Sequence, residues 1–217
     1  MGIKKILEYL LDLVLPRSEK VRVLEEMSAE EFRAACQSRA ALPLSPEKTL
    51  ALFDYQKPLV RQAIWELKYR GNKKIAALLA QCLYEELAEE LSERKTFGHF
   101  EKPLLVPVPL SKKRLRERGF NQCELLADVL KNLGGNFFEV RFDLLVKTKD
   151  TESQTSKNRA RRLENLKGCF SVSRPEEVAG RNVIVLDDVV TTGATFEEAR
   201  RTLQAAGARV MLAAVAH

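Results

Sequence analysis

The sequence predicts an α/β fold: a mainly parallel central sheet flanked by helices, with a small helical appendage at the N-terminus. Three observations predict it. Short apolar runs alternate with segments of helical period, the pattern of a parallel sheet. Val183 to Thr195 reads as a strand, then two acids, then a threonine-glycine loop that opens a helix. The 217 residues are 45% hydrophobic and 30% charged, enough for a real core and against global disorder. The expected division is an appendage over residues 1–50 and a main domain over 51–217.

Met1 to Pro16 places Ile3, Ile6, Leu7, Leu10, Leu11 and Val14 at helical spacing. Lys4, Lys5, Glu8 and Asp12 interrupt any signal-peptide core, and no run reaches the ~18 apolar residues of a membrane span. A packed amphipathic helix is expected there. Residues 17–50 are weakly patterned, with one short helix expected around Ala29 to Ala41, broken by Pro43 and Pro46. Pro58 opens a helix through Val60, Ile64 and Leu67, and Gly71 punctuates it. Ile75, Leu78, Leu79, Cys82, Leu83, Leu87 and Leu91 then repeat at the helical period. Trp65 is read as a core or interface residue of the first of these helices.

Leu104 to Val108 is an apolar run between prolines, a buried strand ending in a loop. Asn121 with Glu124 forms a capping pattern before Leu125, Leu126, Val129, Leu130 and Leu133, and Gly134 and Gly135 end that helix. Val140, Phe142 and Leu144 alternate as a strand, and Phe170 with Val172 predicts another. Residues 147–162 are almost wholly polar and basic, a long loop. Val183 to Leu186 is a buried strand, Phe196 to Ala206 a helix closed by Gly207, and Val210 to Val215 the last strand.

The net charge of +6 attracts polyanions: nucleic acid, an acidic membrane surface or a phosphorylated small molecule. Cys36, Cys82, Cys123 and Cys169 contain no C-x-x-C pair and do not read as a zinc site. Cys82 and Cys123 fall in apolar helical patterns as core residues, and a reduced, cytoplasmic protein is expected. Neither His99 nor His217 has a motif around it.

The chemistry concentrates in Val183 to Thr195. Open α/β sheets bind ligands at the carboxyl ends of their strands, where Asp187 and Asp188 stand. The following helix N-terminus suits a phosphate, Gly193 lets backbone approach it, and Thr191, Thr192 and Thr195 add hydroxyl donors around Ala194. The adjacent acids accept hydrogen bonds from a vicinal diol or hold Mg²⁺ through water. Phosphate donors beside diol acceptors describe a ribose 5-phosphate. A Walker A loop is absent.

This stretch resembles the ribose-phosphate loop of type I phosphoribosyltransferases. Pro107-Val108-Pro109-Leu110, with Arg114 to Gln122, is similar to the ComF family of competence-associated phosphoribosyltransferase-like proteins. Gln154-Thr155, Arg162, Asn165, Gly168-Cys169-Phe170 and Leu67-Lys68-Tyr69-Arg70-Gly71 resemble the same family, so the likeness runs from about Tyr55 to the C-terminus. The resemblance implies a type I phosphoribosyltransferase fold. It also implies binding of phosphoribosyl pyrophosphate (PRPP) with Mg²⁺, Asp187 and Asp188 holding the ribose hydroxyls, and Thr191 to Thr195 holding the 5-phosphate. Arg114, Arg118 and Asn121 would lie on the pyrophosphate side, and Gln154 and Arg162 on a flexible loop or its hinge that closes over the site. Relatives open with a four-cysteine zinc ribbon; here Ser18 and Val21 stand where a C-x-x-C pair is expected, so no zinc is expected.

The cluster Lys112, Lys113, Arg114, Arg116 and Arg118 reads as a solvated turn, a phosphate-tracking nucleic-acid patch or the pyrophosphate loop, and the resemblance favours the last. Three functions stay open. One is transfer of a phosphoribosyl group to an unknown acceptor. The second is a non-catalytic PRPP or nucleotide sensor docked on DNA-uptake machinery. The third is a plain single-stranded DNA binder, which the sequence disfavours because only Phe120 stands near the basic cluster. Partners expected are PRPP or another ribose 5-phosphate, with single-stranded DNA, the DNA-uptake machinery and a homodimer as open alternatives.

Overall fold

The computed structural model describes residues 19–36, 49–96, 100–135, 137–149 and 166–217. Strands β1 (Thr49–Phe53), β2 (Leu104–Pro107), β3 (Glu139–Val140), β6 (Asn182–Val189) and β7 (Arg209–Ala216) form one sheet in the order β1-β7-β6-β2-β3. Every pairing in it is parallel. Strands β4 (Leu145–Lys147) and β5 (Phe170–Val172) make a separate antiparallel pair.

The central strands are buried on both faces, which is why they read as continuous apolar runs. Alternate residues point to opposite sides. Leu105, Ile184, Leu186, Met211, Ala213 and Val215 meet one helical layer. It contains α3 (Pro58–Trp65), α4 (Lys73–Thr96) and α6 (Gln122–Leu133). Leu104, Val106, Val183, Val185, Leu212 and Ala214 meet the short α7 (Pro175–Val178), α8 (Ala194–Ala205) and the β4–β5 pair on the other face. From β2 the chain proceeds outward to β3, and from β6 it proceeds the other way to β7. The strand order therefore reverses between β2 and β6, and the loops after these two strands open a crevice there.

Helices α1 (Glu19–Glu26) and α2 (Ala29–Cys36) pack on α4. Leu24, Phe32 and Cys36 enter the main core, with Phe32 edge-on to Phe53 of β1 at 5.1 Å between ring centroids. Ser28 and Glu31 form a reciprocal capping box at the start of α2, Ser28 N–H donating to Glu31 at 2.7 Å and Glu31 N–H to Ser28 Oγ at 3.2 Å.

Several expectations are corrected. The helix expected over Ala29 to Ala41 is present over Ala29–Cys36, the rest of that span lying outside the described residues, and α1 precedes it unannounced. Strand β1 was not anticipated, and the division expected at residue 50 runs through it. The helix from Pro58 changes at Glu66 into a π-helical segment, Glu66–Arg70, closed by Gly71 at φ 59°. No strand spans Val140 to Leu144. Ser173 holds the Asp143 carbonyl through its hydroxyl and the Leu144 carbonyl through its N–H. The chain is thereby turned from β3 into the β4–β5 pair, leaving Phe142 exposed. The basic cluster is neither turn nor loop but helix α5 (Lys112–Arg118), with Ser111 as N-cap and Gly119 at φ 80° ending it. Among the described residues no helix is long and apolar enough to cross a membrane.

Candidate ribose-phosphate site

Asp187 and Asp188 stand at the carboxyl end of β6, beside the crevice. Consecutive strand residues face opposite ways, so the two carboxylates are approached by different partners. Asp187 Oδ1 accepts from the Asp188 N–H at 2.8 Å and from the Cys123 thiol at 3.3 Å. Asp188 is 2% exposed. Its Oδ1 accepts from Gln122 Nε2 at 3.4 Å, and its Oδ2 lies 2.8 Å from the Lys68 ammonium.

These contacts set the charges. Burial raises Asp187 to about 7, the negative charge and hydrogen bonding of Asp188 add to this, and Lys68 opposes it. Burial works against the Lys68 ammonium, but Asp188, then Asp187, outweigh it and leave Lys68 raised. Cys123 is pushed well above the usual thiol range by burial and then by the two carboxylates, so it stays a thiol. Asp187 thus holds its proton well above the usual carboxylate range, beside the 2.8 Å contact of Asp188 with Lys68.

A pH dependence of stability follows. Asp187 is raised from 3.8, so the native state binds its proton more tightly than the unfolded chain. That contribution is full below about pH 4 and is lost as pH rises through about 7. Asp187→Asn keeps the accepting oxygen and cannot ionise. Urea melts should find it more stable than wild type by on the order of 1–3 kcal/mol at pH 8, and equal to it near pH 4. Equal stability at both pH values would mean that Asp187 ionises normally.

After β6 the chain passes through Thr191 and Thr192 to Gly193, which sits at φ 75° as N-cap of α8. A side chain at this φ is strained, and a Cβ there would meet no atom within 4 Å, so the space before the helix is open. Thr192 Oγ1 accepts from the Ala194 N–H at 3.5 Å, and Glu197 N–H closes the first turn on the Gly193 carbonyl at 2.8 Å. Thr191 is exposed, Thr192 and Thr195 are half-buried and Ala194 is buried. The first N–H groups of a helix have no partner within it, so this turn presents donors to the open space.

Across the crevice, Asn121 is 2% exposed and joins two elements. Its Oδ1 caps α6 at Cys123 N–H, 3.0 Å away, and its amide donates to the Val108 carbonyl and to Glu124, each at 3.1 Å. Asn121 therefore holds the end of β2 against α6. The Arg118 guanidinium donates to Gln122 and stacks 5.6 Å over the Tyr69 ring. Arg114 is half-buried in the first turn of α5. Gln154 and Arg162 lie outside the described residues.

Lys68, Gln122 and Cys123 belong to this site although the sequence reading gave them no such part. Cys123, Asp187 and Asp188 also bring ligand atoms within 4.8 Å of one another. The two carboxylates suit a hard cation such as Mg²⁺, which takes oxygen ligands and retains several waters.

A family model described as a phosphoribosyl transferase domain matches residues 117–217. The DNA utilization protein YhgH of Escherichia coli strain K12 is 34% identical over 164 residues, 75% of this chain and 68% of that one. Competence protein ComFC of Bacillus subtilis strain 168 is 32% identical over 145 residues, 67% of this chain but only 53% of that protein's length. Among solved structures, Trypanosoma cruzi hypoxanthine phosphoribosyl transferase is similar over 64% of each chain, with 14% identity and a TM-score of 0.37. The allosteric regulatory enzyme of purine biosynthesis is similar over 69% of this chain and 29% of its own, with 16% identity and a TM-score of 0.37. The chain belongs to the ComF family of competence-associated, phosphoribosyltransferase-like proteins and has the type I phosphoribosyltransferase fold.

Proposed function

We propose that this protein binds PRPP across the carboxyl ends of β2 and β6 and transfers its phosphoribosyl group to an acceptor. The observation that carries this reading is the placing of an acid pair and an open, glycine-capped helix N-terminus on one strand end beside the strand-order reversal. Thr191 to Thr195 hold the 5-phosphate, and Asp187 and Asp188 accept from the 2- and 3-hydroxyls. Arg114 and Arg118, from α5, face the pyrophosphate. During transfer the bond from C1 to pyrophosphate oxygen breaks, its electron pair leaves with pyrophosphate, and a lone pair of the acceptor forms the new bond at C1. The side chains act through position and charge. Mg²⁺, bound with PRPP, supplies further neutralisation of the pyrophosphate.

A second reading has its own support. The exposed rings of Trp65 and Tyr69 lie 5.5 Å apart, with Arg70 over the first and Arg118 of α5 over the second. Aromatics therefore do stand beside the basic helix, contrary to the sequence argument against nucleic-acid stacking. A DNA-uptake accessory that senses PRPP without turning it over would use both surfaces.

Thermal unfolding with PRPP and Mg²⁺ tests ligand binding. Ligand at a hundred times its dissociation constant stabilises by about 2.7 kcal/mol, roughly 5–10 °C for a chain of this size. No shift at millimolar PRPP from folded protein would end the ribose-phosphate reading. Given a shift, pyrophosphate release across a panel of acceptors supports the transferase, and binding without release supports the sensor.

A further inference from the structure

Lys68 reaches the acid pair from the far side of the crevice by an unusual piece of backbone. It sits in the π-helical segment Glu66–Arg70, where one extra residue per turn rotates the side chains relative to α3. Leu67 stays in the core while the next residue turns to Asp188. Gly71 closes the segment against Phe120, so tightly that a Cβ would come within 3.0 Å of the ring. The segment is thus fixed to the connection between α5 and α6.

The contacts form a closed circuit. Lys68 pairs with Asp188, Asp188 accepts from Gln122, Gln122 accepts from Arg118, and Arg118 stacks on Tyr69, the neighbour of Lys68. The Asp188 side chain is 3% exposed and that of Lys68 26%. A carboxylate so buried is costly to keep charged without a cation beside it. A phosphorylated sugar brings several more negative charges to the same place, and at short range in a half-buried site like charges repel strongly.

We propose that Lys68 is the built-in counter-cation of the acid pair, a positioning residue that neutralises Asp188 so that an anionic sugar phosphate can bind beside it before any divalent ion is present. The proposal rests on the ribose-phosphate reading of the site; it adds a residue to that site and frees the first binding step from a metal. Lys68 does not touch the reacting atoms; it acts through Asp188. Asp187, Asp188 and Cys123 are the titratable groups around its ammonium.

The test is the metal dependence of ligand binding by the full chain, followed by thermal unfolding with ribose 5-phosphate and with PRPP, in EDTA and in Mg²⁺. Wild type should keep more than about half of its ligand-induced shift in EDTA, by the charge balance above. Lys68→Gln can still donate to Asp188 but carries no charge. It should bind at least about tenfold more weakly in EDTA, with Mg²⁺ restoring most of the loss. Lys68→Arg should behave as wild type. A merely structural lysine would lower the melting temperature of the free protein without changing the metal dependence. Equal metal dependence in wild type and Lys68→Gln overturns the proposal, as does a wild type that responds only in Mg²⁺, a result that needs no variant. A wild type that responds to neither ligand even in Mg²⁺ removes the ribose-phosphate reading itself.

Discussion

Asp187→Asn with Asp188→Asn together should abolish the PRPP-dependent rise in melting temperature while leaving the free protein folded. Each hydrogen bond from a ribose hydroxyl to a carboxylate is charge-assisted and worth about 1.5–3 kcal/mol. Losing the charge at both acceptors removes about 2–3 kcal/mol of this and weakens binding by on the order of a hundredfold. Ligand at about a hundred times the wild-type dissociation constant would then sit near the new one, and the stabilisation would fall to about 0.4 kcal/mol, roughly 1 °C. The fold should survive. Asparagine is nearly isosteric with aspartate, and at position 187 it relieves the burden of a carboxylate raised to about 7. At position 188 it costs Lys68 its ion pair, but that side chain is 26% exposed and can turn to water. Inorganic phosphate supplies the control, because the donors at Gly193 to Thr195 remain. A variant that loses the PRPP response and keeps the phosphate response localises the sugar to the acids. An unchanged PRPP response would place the ligand elsewhere than the end of β6.

The parts of this site visible in the sequence are those that lie close together along the chain. Val183 to Leu186 announces a buried strand, and the acids, threonines and Gly193 follow in order, so one window held both the geometry and the chemistry. Asn121 was likewise legible as a helix cap, though its amide also ties α6 to Val108, which no local pattern reveals. Lys68 was not legible as a site residue. Its partner Asp188 lies far away along the chain, and the π-helical turn that aims it shifts the ladder within an otherwise regular helical period. Strand β1 was missed because Thr49 to Phe53 is a short apolar run without alternation, and its partner β7 stands at the other end of the sequence. The basic cluster misled in the opposite sense. Five cations in seven residues read as a turn or as the loop after a strand, but Ser111 and Gly119 are ordinary helix boundaries, and the charges lie on a helix of about two turns.

Phe32→Ala should destabilise the whole protein, not merely its N-terminal part. The described part of helix α2 is eight residues, too few to persist in water alone, so it depends on what it buries. Phe32 is fully buried and meets Phe53 of β1 edge-to-face, which links the helix to the edge of the main sheet. On the same helix Arg33 bonds Glu86 of α4 at 2.7 Å, approaches Glu85 at 3.3 Å and donates to the Cys82 carbonyl. Truncating a buried phenylalanine costs about 3–5 kcal/mol through lost transfer energy and the cavity left behind. For a chain of this length that lowers a single cooperative transition by roughly 10 °C. An N-terminal unit folding independently would behave differently: the substitution would remove an early, separate signal and leave the main transition within about 1–2 °C of wild type. The PRPP-dependent shift should persist in Phe32→Ala, because the acids and the phosphate loop lie at the carboxyl end of β6 and make none of the contacts that hold α2. A large loss of stability with an intact ligand response would show that helices α1 and α2 serve the core of the phosphoribosyltransferase fold and not its site.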